Sequence, residues 1–339
     1  MAFLAPEVAE TDLSVSLSRY LVRIHQGKVR DTYALPDHPD KLLVVATDRV
    51  SIFDFVLGAL IYHKGEVLTA LTVFWLTRVL TGVRHHMLAY GSQIDRYLPM
   101  QLQGNRELMR RALVVEKHLM LELECIARGY LTGSGWTAYQ ETTAKDGVGK
   151  VCGIELPAGL HDGSPLEPAI FTPTTKAKVG HDEHVDREWA RKQHGMWPEK
   201  LTLNLYSRAF AYAYERGIIL ADTKFEFSAQ GVLADEVLTP DSSRFWDVDA
   251  YRTYQQRKVS PPGFDKEPLR QWGKKRAVLD GKPVDISKLD AKDPEQHKRV
   301  ARIEVPREEI EQTTDRYLTT VDRLTGKELG RYQVEDMAA

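Results

Sequence analysis

One ten-residue run constrains this chain more than any other: Ile218-Ile219-Leu220-Ala221-Asp222-Thr223-Lys224-Phe225-Glu226-Phe227. Four apolar residues open it, and charged residues then alternate with others. Successive side chains of a strand point to opposite faces. Asp222, Lys224 and Glu226 therefore share one face, while Phe225 and Phe227 take the other. Three charges on one face, directly after an apolar run, need a partner. A turn at residues 228–231 leads to a second expected strand over 232–238, which carries Asp235 and Glu236. A turn symmetric about Ala229-Gln230 sets Lys224 opposite Asp235, with Glu226 diagonal to it. Two carboxylates so close suit Mg²⁺ carrying nucleotide phosphates. The plainer alternative is a solvated face with cross-strand ion pairs.

The rest of the chain supplies a body around this hairpin. Residues 21–34 read as strand, and the turn Pro36-Asp37-His38-Pro39-Asp40 joins them to the apolar run 41–47 as a hairpin. Residues 66–81 read as a helix stopped by Gly82. Strands are expected at 112–117 and 121–127, a glycine-bearing loop at 129–135, and a helix from Trp136. Residues 157–173 are broken by Gly and Pro and read as a surface connection. Helices are expected at 201–216, with Pro198 near its start and Gly217 past its end, and at about 306–327. Residues 273–305 are charge-rich and read as an exposed excursion. A β-rich front and a mixed rear indicate an α+β body with a cleft between two lobes, a common place for small-molecule sites.

Composition then narrows the function. The 339 residues give a prior of about two domains. Lys and Arg number 46 against 48 Asp and Glu, a formal charge of −2. That excludes a surface-wide nucleic-acid or membrane binder, but not a local basic pocket. Two cysteines, Cys125 and Cys152, support neither a disulfide framework nor a cysteine zinc cluster. Cys125 lies in an apolar strand and reads as a packed thiol. No run approaches the roughly 18 apolar residues of a spanning helix. The first residues have no basic n-region, so no signal peptide is expected and the cytoplasm is the default compartment.

Other motifs offer anion sites. In Gln26-Gly27-Lys28-Val29-Arg30 the two cations share a strand face beside a glycine that admits close backbone approach. It is not a P-loop, and a basic edge strand is the bland alternative. Arg128 and the loop Thr132-Gly133-Ser134-Gly135 combine a guanidinium fork, hydroxyls and backbone N–H groups suited to a phosphate. Arg244 follows the hydroxyl pair Ser242-Ser243, in what could equally be a capped turn. His181 and His184 tempt a zinc assignment, but no further ligands can be nominated.

Eight segments in order resemble the SAICAR synthetase family: GKVRDTY (27–33), VATDRVSIFD (45–54), KGEVLT (64–69), ECIARGYLTGSGW (124–136), FTPTTKAKVGHDEH (171–184), GIILADTKFEF (217–227), LADEVLTPDSSRFW (233–246) and FDKEPLRQW (264–272). The resemblance implies an ATP-dependent ligase that joins the carboxylate of CAIR to L-aspartate, giving SAICAR, ADP and phosphate, with Mg²⁺ required. The fold it implies is α+β and two-lobed, similar to ATP-grasp and kinase-like enzymes. A β-rich N-terminal lobe (1–120) would contribute the ATP phosphate loop. A mixed α/β C-terminal lobe (121–339) would carry the metal and CAIR sites, with a charge-rich insertion at about 281–303.

The resemblance also assigns residues. Lys28 and Arg30 match the loop over the ATP phosphates. Lys117 and the stretch from Met120 to Glu124 match the adenine pocket, and Lys176 and Asp182 a central ATP-site loop, which leaves no zinc site at His181 and His184. Glu226 and Asp235 match the magnesium carboxylates. Arg128, Ser134, Ser243 and Arg244 match the cradle for the CAIR 5′-phosphate. Asp222 and Lys224 lie beside the reacting groups, Asp222 as acceptor of the amine proton. Asp48, Ser51, Asp54 and Lys64 fall in a segment associated with CAIR and aspartate. Ser228 stands where the family commonly has glycine. A small-molecule kinase with the same ATP lobe is the alternative, and a non-catalytic nucleotide binder a more distant one. No nucleic acid or membrane partner is implied, and the oligomeric state is left open between monomer and homodimer.

Overall fold

The computed structural model describes residues 11–175 and 184–339. β1 (Arg23–Gln26), β2 (Arg30–Ala34) and β3 (Lys41–Ala46) are successive antiparallel neighbours. The expected hairpin is present as β2 and β3. Residues 21–34 are themselves two strands, because Gly27 N–H donates to Arg30 O at 2.7 Å and reverses the chain. β4 (Arg49–Ile52) and β5 (Phe55–Leu60) form a separate pair. β6 (Met87–Tyr90) and β7 (Ala112–Glu116) complete a five-stranded sheet of order β1-β2-β3-β7-β6.

A second sheet carries the charged run. Its long strands are β8 (Leu123–Leu131), then, after the short hairpin β9 (Lys150–Val151) and β10 (Ile154–Glu155), β11 (Ser164–Phe171). β12 (Thr174–Thr175), β13 (Ile218–Phe227), β14 (Leu233–Ala234) and β15 (Ser243–Asp247) follow. The order is β11-β8-β13-β14, with β12 also on β8 and β15 also on β13. The charged run is thus an internal strand. Phe225 and Phe227 lie in the main core, in one cluster with residues of helices Lys64–Phe74 and Trp197–Tyr214. That leaves the Asp222, Lys224 and Glu226 face for chemistry.

Three local expectations need correction. Residues 157–173 are not only a connection, since β11 occupies half of them and pairs with β8 from Ser164↔Leu131 to Phe171↔Ala127. Pro165 and Pro168 hid it, and an edge strand tolerates proline because one side has no ladder to complete. Residues 129–135 are not a loop: β8 runs through Leu131 and a helix spans Gly133–Asp146. Gly129 sits in the strand because the Tyr206 hydroxyl would lie 1.9 Å from any Cβ there.

The third correction concerns residues 273–305. Ala277, Leu279, Ile286, Ala291, Val300 and Ile303 are buried, in one cluster with Val50, Ile52, Phe55, Leu57 and Trp272. The segment covers the apolar side of β4 and β5 through β16 (Val278–Leu279), β17 (Lys282–Pro283) and helix Pro294–Val300. Its apolar residues are few and aperiodic, so no moment announces them.

Helix Arg307–Thr325 buries Tyr317, Val321 and Leu324 in the main core and ends at Gly326, whose φ of 72° is left-handed. No described helix is long and apolar enough to cross a membrane.

Candidate active site

The register of the second sheet builds the first charged group. Asp222 pairs with Arg128 on β8 and with Arg244 on β15. Arg128 Nη1 donates to Asp222 Oδ2 at 2.5 Å, and Arg244 Nη1 donates to the same oxygen at 2.6 Å. Arg128 also donates from Nε to Thr172 Oγ1 (2.9 Å) and from Nη2 to Ser134 Oγ (3.0 Å). Arg244 Nη2 lies 3.5 Å from Glu267 Oε2. Burial lowers the Arg128 pKa; Asp222 opposes that, and Arg244 adds to it. Burial acts the same way on Arg244, but Asp222, Glu267 and Asp265 outweigh it and hold that guanidinium firmly charged.

Gly133 is required beside this pair. Its φ is 56°, and a Cβ there would stand 2.3 Å from Arg244 Nη2. Backbone therefore comes close to the two guanidinium groups, an arrangement chemically suited to an anion. Ser243 Oγ shares a hydrogen bond with Thr223 Oγ1 at 2.8 Å and fixes β15 on β13.

Two residues along β13 the charges change partners. Lys224 Nζ donates to Glu124 Oε1 at 2.5 Å and lies 3.7 Å from Glu226 Oε1. Thr174 Oγ1 donates to the other Glu124 oxygen at 3.2 Å. Burial would discharge Lys224, but Glu124, Glu226 and Asp235 outweigh it and raise its pKa. Arg30 reaches in from the first sheet: Nη2 donates to Asp235 Oδ2 at 2.7 Å and lies 3.7 Å from Glu236 Oε1. Burial opposes its charge too, and Asp235, Glu236 and Glu226 raise the pKa instead.

The hairpin register differs from expectation by one residue. Glu226 pairs with Ala234 and Phe227 with Leu233. Asp235 then takes a left-handed φ of 62°, which ends the ladder and turns its carboxylate toward Arg30. Ser228 closes the turn by accepting from Gln230 N (3.2 Å) and Val232 N (3.1 Å) through its hydroxyl.

Among the described residues no group of three or more His, Cys, Asp or Glu could hold a metal. Mg²⁺ typically needs only one or two carboxylates when phosphates and water fill its shell. Glu226 and Asp235 are such oxygen donors, and each already faces a cation (Lys224 and Arg30 respectively). The donor set fits Mg²⁺ with a polyphosphate.

The remaining expected residues scatter more widely. Lys28 pairs with Asp54, which lies in the turn between β4 and β5. Asp48 Oδ1 accepts from Gly65 N at 2.9 Å, at the start of helix Lys64–Phe74, and lies 3.3 Å from Arg111 Nη1. Lys64 is fully buried with its Nζ 2.7 Å from Asp241 Oδ2. Ser51 is buried on β4. Lys117 is exposed, and its backbone N–H donates to Asp40 O. Met120 bridges to Ser228. Lys176 and Asp182 fall outside the described residues.

Cys125 is fully buried, and burial pushes its thiol up to about 12, which leaves it inert. Sequence reasoning missed Asp241, Asp265 and Glu267, although the last two flank Lys266 inside a motif already singled out.

Comparison with known proteins bears on this geometry. A family model described as SAICAR synthetase matches residues 23–282. The phosphoribosylaminoimidazole-succinocarboxamide synthase of Maridesulfovibrio salexigens is 38% identical over 334 residues, covering 96% of this chain and 99% of its own length. The protein of that name from Saccharopolyspora erythraea is 46% identical over 267 residues, covering 76% and 82%. A solved SAICAR synthase of Saccharomyces cerevisiae, complexed with SAICAR, superposes with a TM-score of 0.73 at 32% identity, covering 95% of this chain and 99% of that one.

Proposed function

The chain belongs to the SAICAR synthetase family, and on that premise we propose how its charged face carries out the ligation. The enzyme joins CAIR, 5-amino-1-(5-phospho-D-ribosyl)imidazole-4-carboxylate, to L-aspartate at the expense of ATP in purine biosynthesis. The kinase alternative finds no support in these relatives. A two-lobed division near residue 120 is favoured by the break between β7 and β8, and the cytoplasm remains the proposed compartment. A kinship with ATP-grasp and kinase-like folds goes with that division.

The observation that carries the proposal is the split of charge along β13. Arg128 and Arg244 converge at Asp222, whereas Lys224, Glu226, Arg30 and Asp235 gather two to four residues further on. A substrate with a phosphate at one end and a reacting carboxylate at the other can span these groups. Arg128 and Arg244, with Ser134 and Gly133, take the 5′-phosphate of CAIR. Arg30 and Lys28 take ATP phosphates. Lys117 and the stretch from Met120 to Glu124 line the adenine pocket, with Glu124 also fixing Lys224.

A carboxylate is a poor electrophile, so it must be activated. In the proposed route the CAIR carboxylate oxygen attacks the γ-phosphorus of ATP, and ADP leaves. The neutral aspartate amine then attacks the acyl carbon, and phosphate leaves with the oxygen from CAIR and takes up the proton that the amine gives up. Positioning and charge stabilisation do most of the work in such transfers. Lys224 and Arg30 stand where negative charge accumulates. Glu226 and Asp235 would hold Mg²⁺, which supplies further neutralisation of the polyphosphate when bound.

Asp222 accepts two guanidinium hydrogen bonds on one oxygen, which favours a positioning role over proton acceptance. Asp48 likewise reads as a support of helix Lys64–Phe74. The test is an assay with CAIR, ATP, Mg²⁺ and L-aspartate, omitting each in turn. ADP release that requires aspartate supports the ligase reading; release without it would contradict it.

A further inference from the structure

A buried cluster beside this face has an unspent positive charge. Lys266 caps the N-terminus of helix Glu267–Lys275, and its side chain is 13% exposed. Its Nζ stands 3.9 Å from Asp241 Oδ1, too far for a hydrogen bond. No described group satisfies its donors. Asp241 is already taken, accepting from the Tyr317 hydroxyl at 2.5 Å and facing Lys64 Nζ at 2.7 Å. Lys64 and Asp241 are 0% and 2% exposed, so no solute reaches them. Arg270, one turn along the helix, leaves its buried Nε without a partner. An ammonium held in this way, with donors unmade, is arranged for an anion that arrives from outside.

Its location says which anion. Glu267, the next residue, lies 3.5 Å from Arg244 at the phosphate cradle. Glu236, 3.7 Å from Arg30 Nη2, also raises the Lys266 pKa by its charge. Ser242, beside Asp241, accepts through its carbonyl oxygen from Lys224 N at 3.0 Å. Lys266 therefore stands between the cradle and the polyphosphate end, where the third substrate must approach the activated carboxylate. That substrate is a dicarboxylate.

We propose that the Lys266 ammonium binds a carboxylate of L-aspartate, with Lys64 and Asp241 as the floor that positions it. This rests on the ligase reading. The electrostatics give it a titration: burial lowers the Lys266 pKa to about 8, Asp241 and Glu236 oppose, and Arg270 and Lys64 push the same way as burial. Aspartate binding then weakens as pH rises through about 8, because the empty site loses its proton.

The experiment compares wild type, Lys266→Met and Lys266→Arg in steady-state kinetics, with calorimetric titration of L-aspartate and succinate into each protein. Loss of a charge-assisted hydrogen bond predicts a rise of about 10- to 100-fold in the aspartate KM of Lys266→Met. The KM values for ATP and CAIR should move less than about twofold. Lys266→Arg should recover much of the loss and abolish the alkaline rise in the aspartate KM, since its pKa lies far above the range. An unchanged aspartate KM in Lys266→Met, or equal weakening for all three substrates, overturns the proposal. Were the wild type to bind L-aspartate through Lys266 yet fail to ligate it to CAIR, the ligase reading would fall and the carboxylate site would stand.

Discussion

Arg30 on β2 donates to Asp235 at 2.7 Å across 205 residues of sequence, tying the first sheet to the end of the β13 hairpin. A guanidinium so placed can pass from a carboxylate to an ATP phosphate without losing a charged partner. Arg30→Ala should raise the KM for ATP and lower kcat/KM by about 100-fold or more, measured with CAIR and aspartate saturating. Arg30→Lys should recover only part, because lysine has no fork to share between two acceptors.

Glu226 is buried beside Lys224, so Glu226→Gln keeps the shape and removes one negative charge. Turnover should fall by about 100- to 1,000-fold, with circular dichroism and melting temperature little changed. The apparent affinity for Mg²⁺, titrated at fixed ATP, should weaken alongside.

Asp222→Asn separates two roles for that residue. As the shared acceptor of Arg128 and Arg244, Asp222 sets the cradle, so the variant should raise the CAIR KM about tenfold and lower stability, since one buried guanidinium loses its counter-charge. The pH profile of kcat should keep its shape. Disappearance of its acid limb would instead make Asp222 the base.

Asp265 gives stability a pH signature. It is buried and accepts from the backbone N–H groups of Phe245 and Glu267, and burial lifts its carboxyl from 3.8 to about 7. Between about pH 4 and pH 7 the folded chain keeps a proton that the unfolded chain has released. Its contribution to stability therefore declines as pH rises through that window and levels off above it. Urea unfolding of Asp265→Asn across pH 4–8 should lack this decline.

Ile286 tests how firmly the charge-rich segment 273–305 is packed. It is fully buried against the β4–β5 side of the fold. Ile286→Ala should cost about 2–4 kcal/mol in urea unfolding. A loop would register almost nothing.

The chemistry of β13 was legible because period-two alternation is local, and Ile218–Phe227 is the strand that forms. The partner strand was read one residue out of register, because nothing in its composition signals the left-handed φ at Asp235. Lys64 and Asp48 matched family motifs, but what they touch was not legible: Asp241 lies 177 residues from Lys64, and Arg111 far from Asp48. Pairings of that kind are set by the fold rather than by any neighbouring pattern. Lys266 is illegible for the same reason, since a lone lysine in a motif shows neither its burial nor its missing partner.

Gln333 Nε2 donates to Glu66 Oε2 at 2.7 Å, and Arg111, which also faces Asp48, lies 3.5 Å from the other oxygen of Glu66. Helix Lys64–Phe74 is therefore finished by a residue 267 positions later. During synthesis, a nascent chain that has already made every proposed ligand-binding residue still lacks the Gln333 amide that satisfies Glu66 Oε2. A proteolytic clip just before residue 333 should thus loosen the helix that begins at Lys64 without removing any proposed ligand-binding residue.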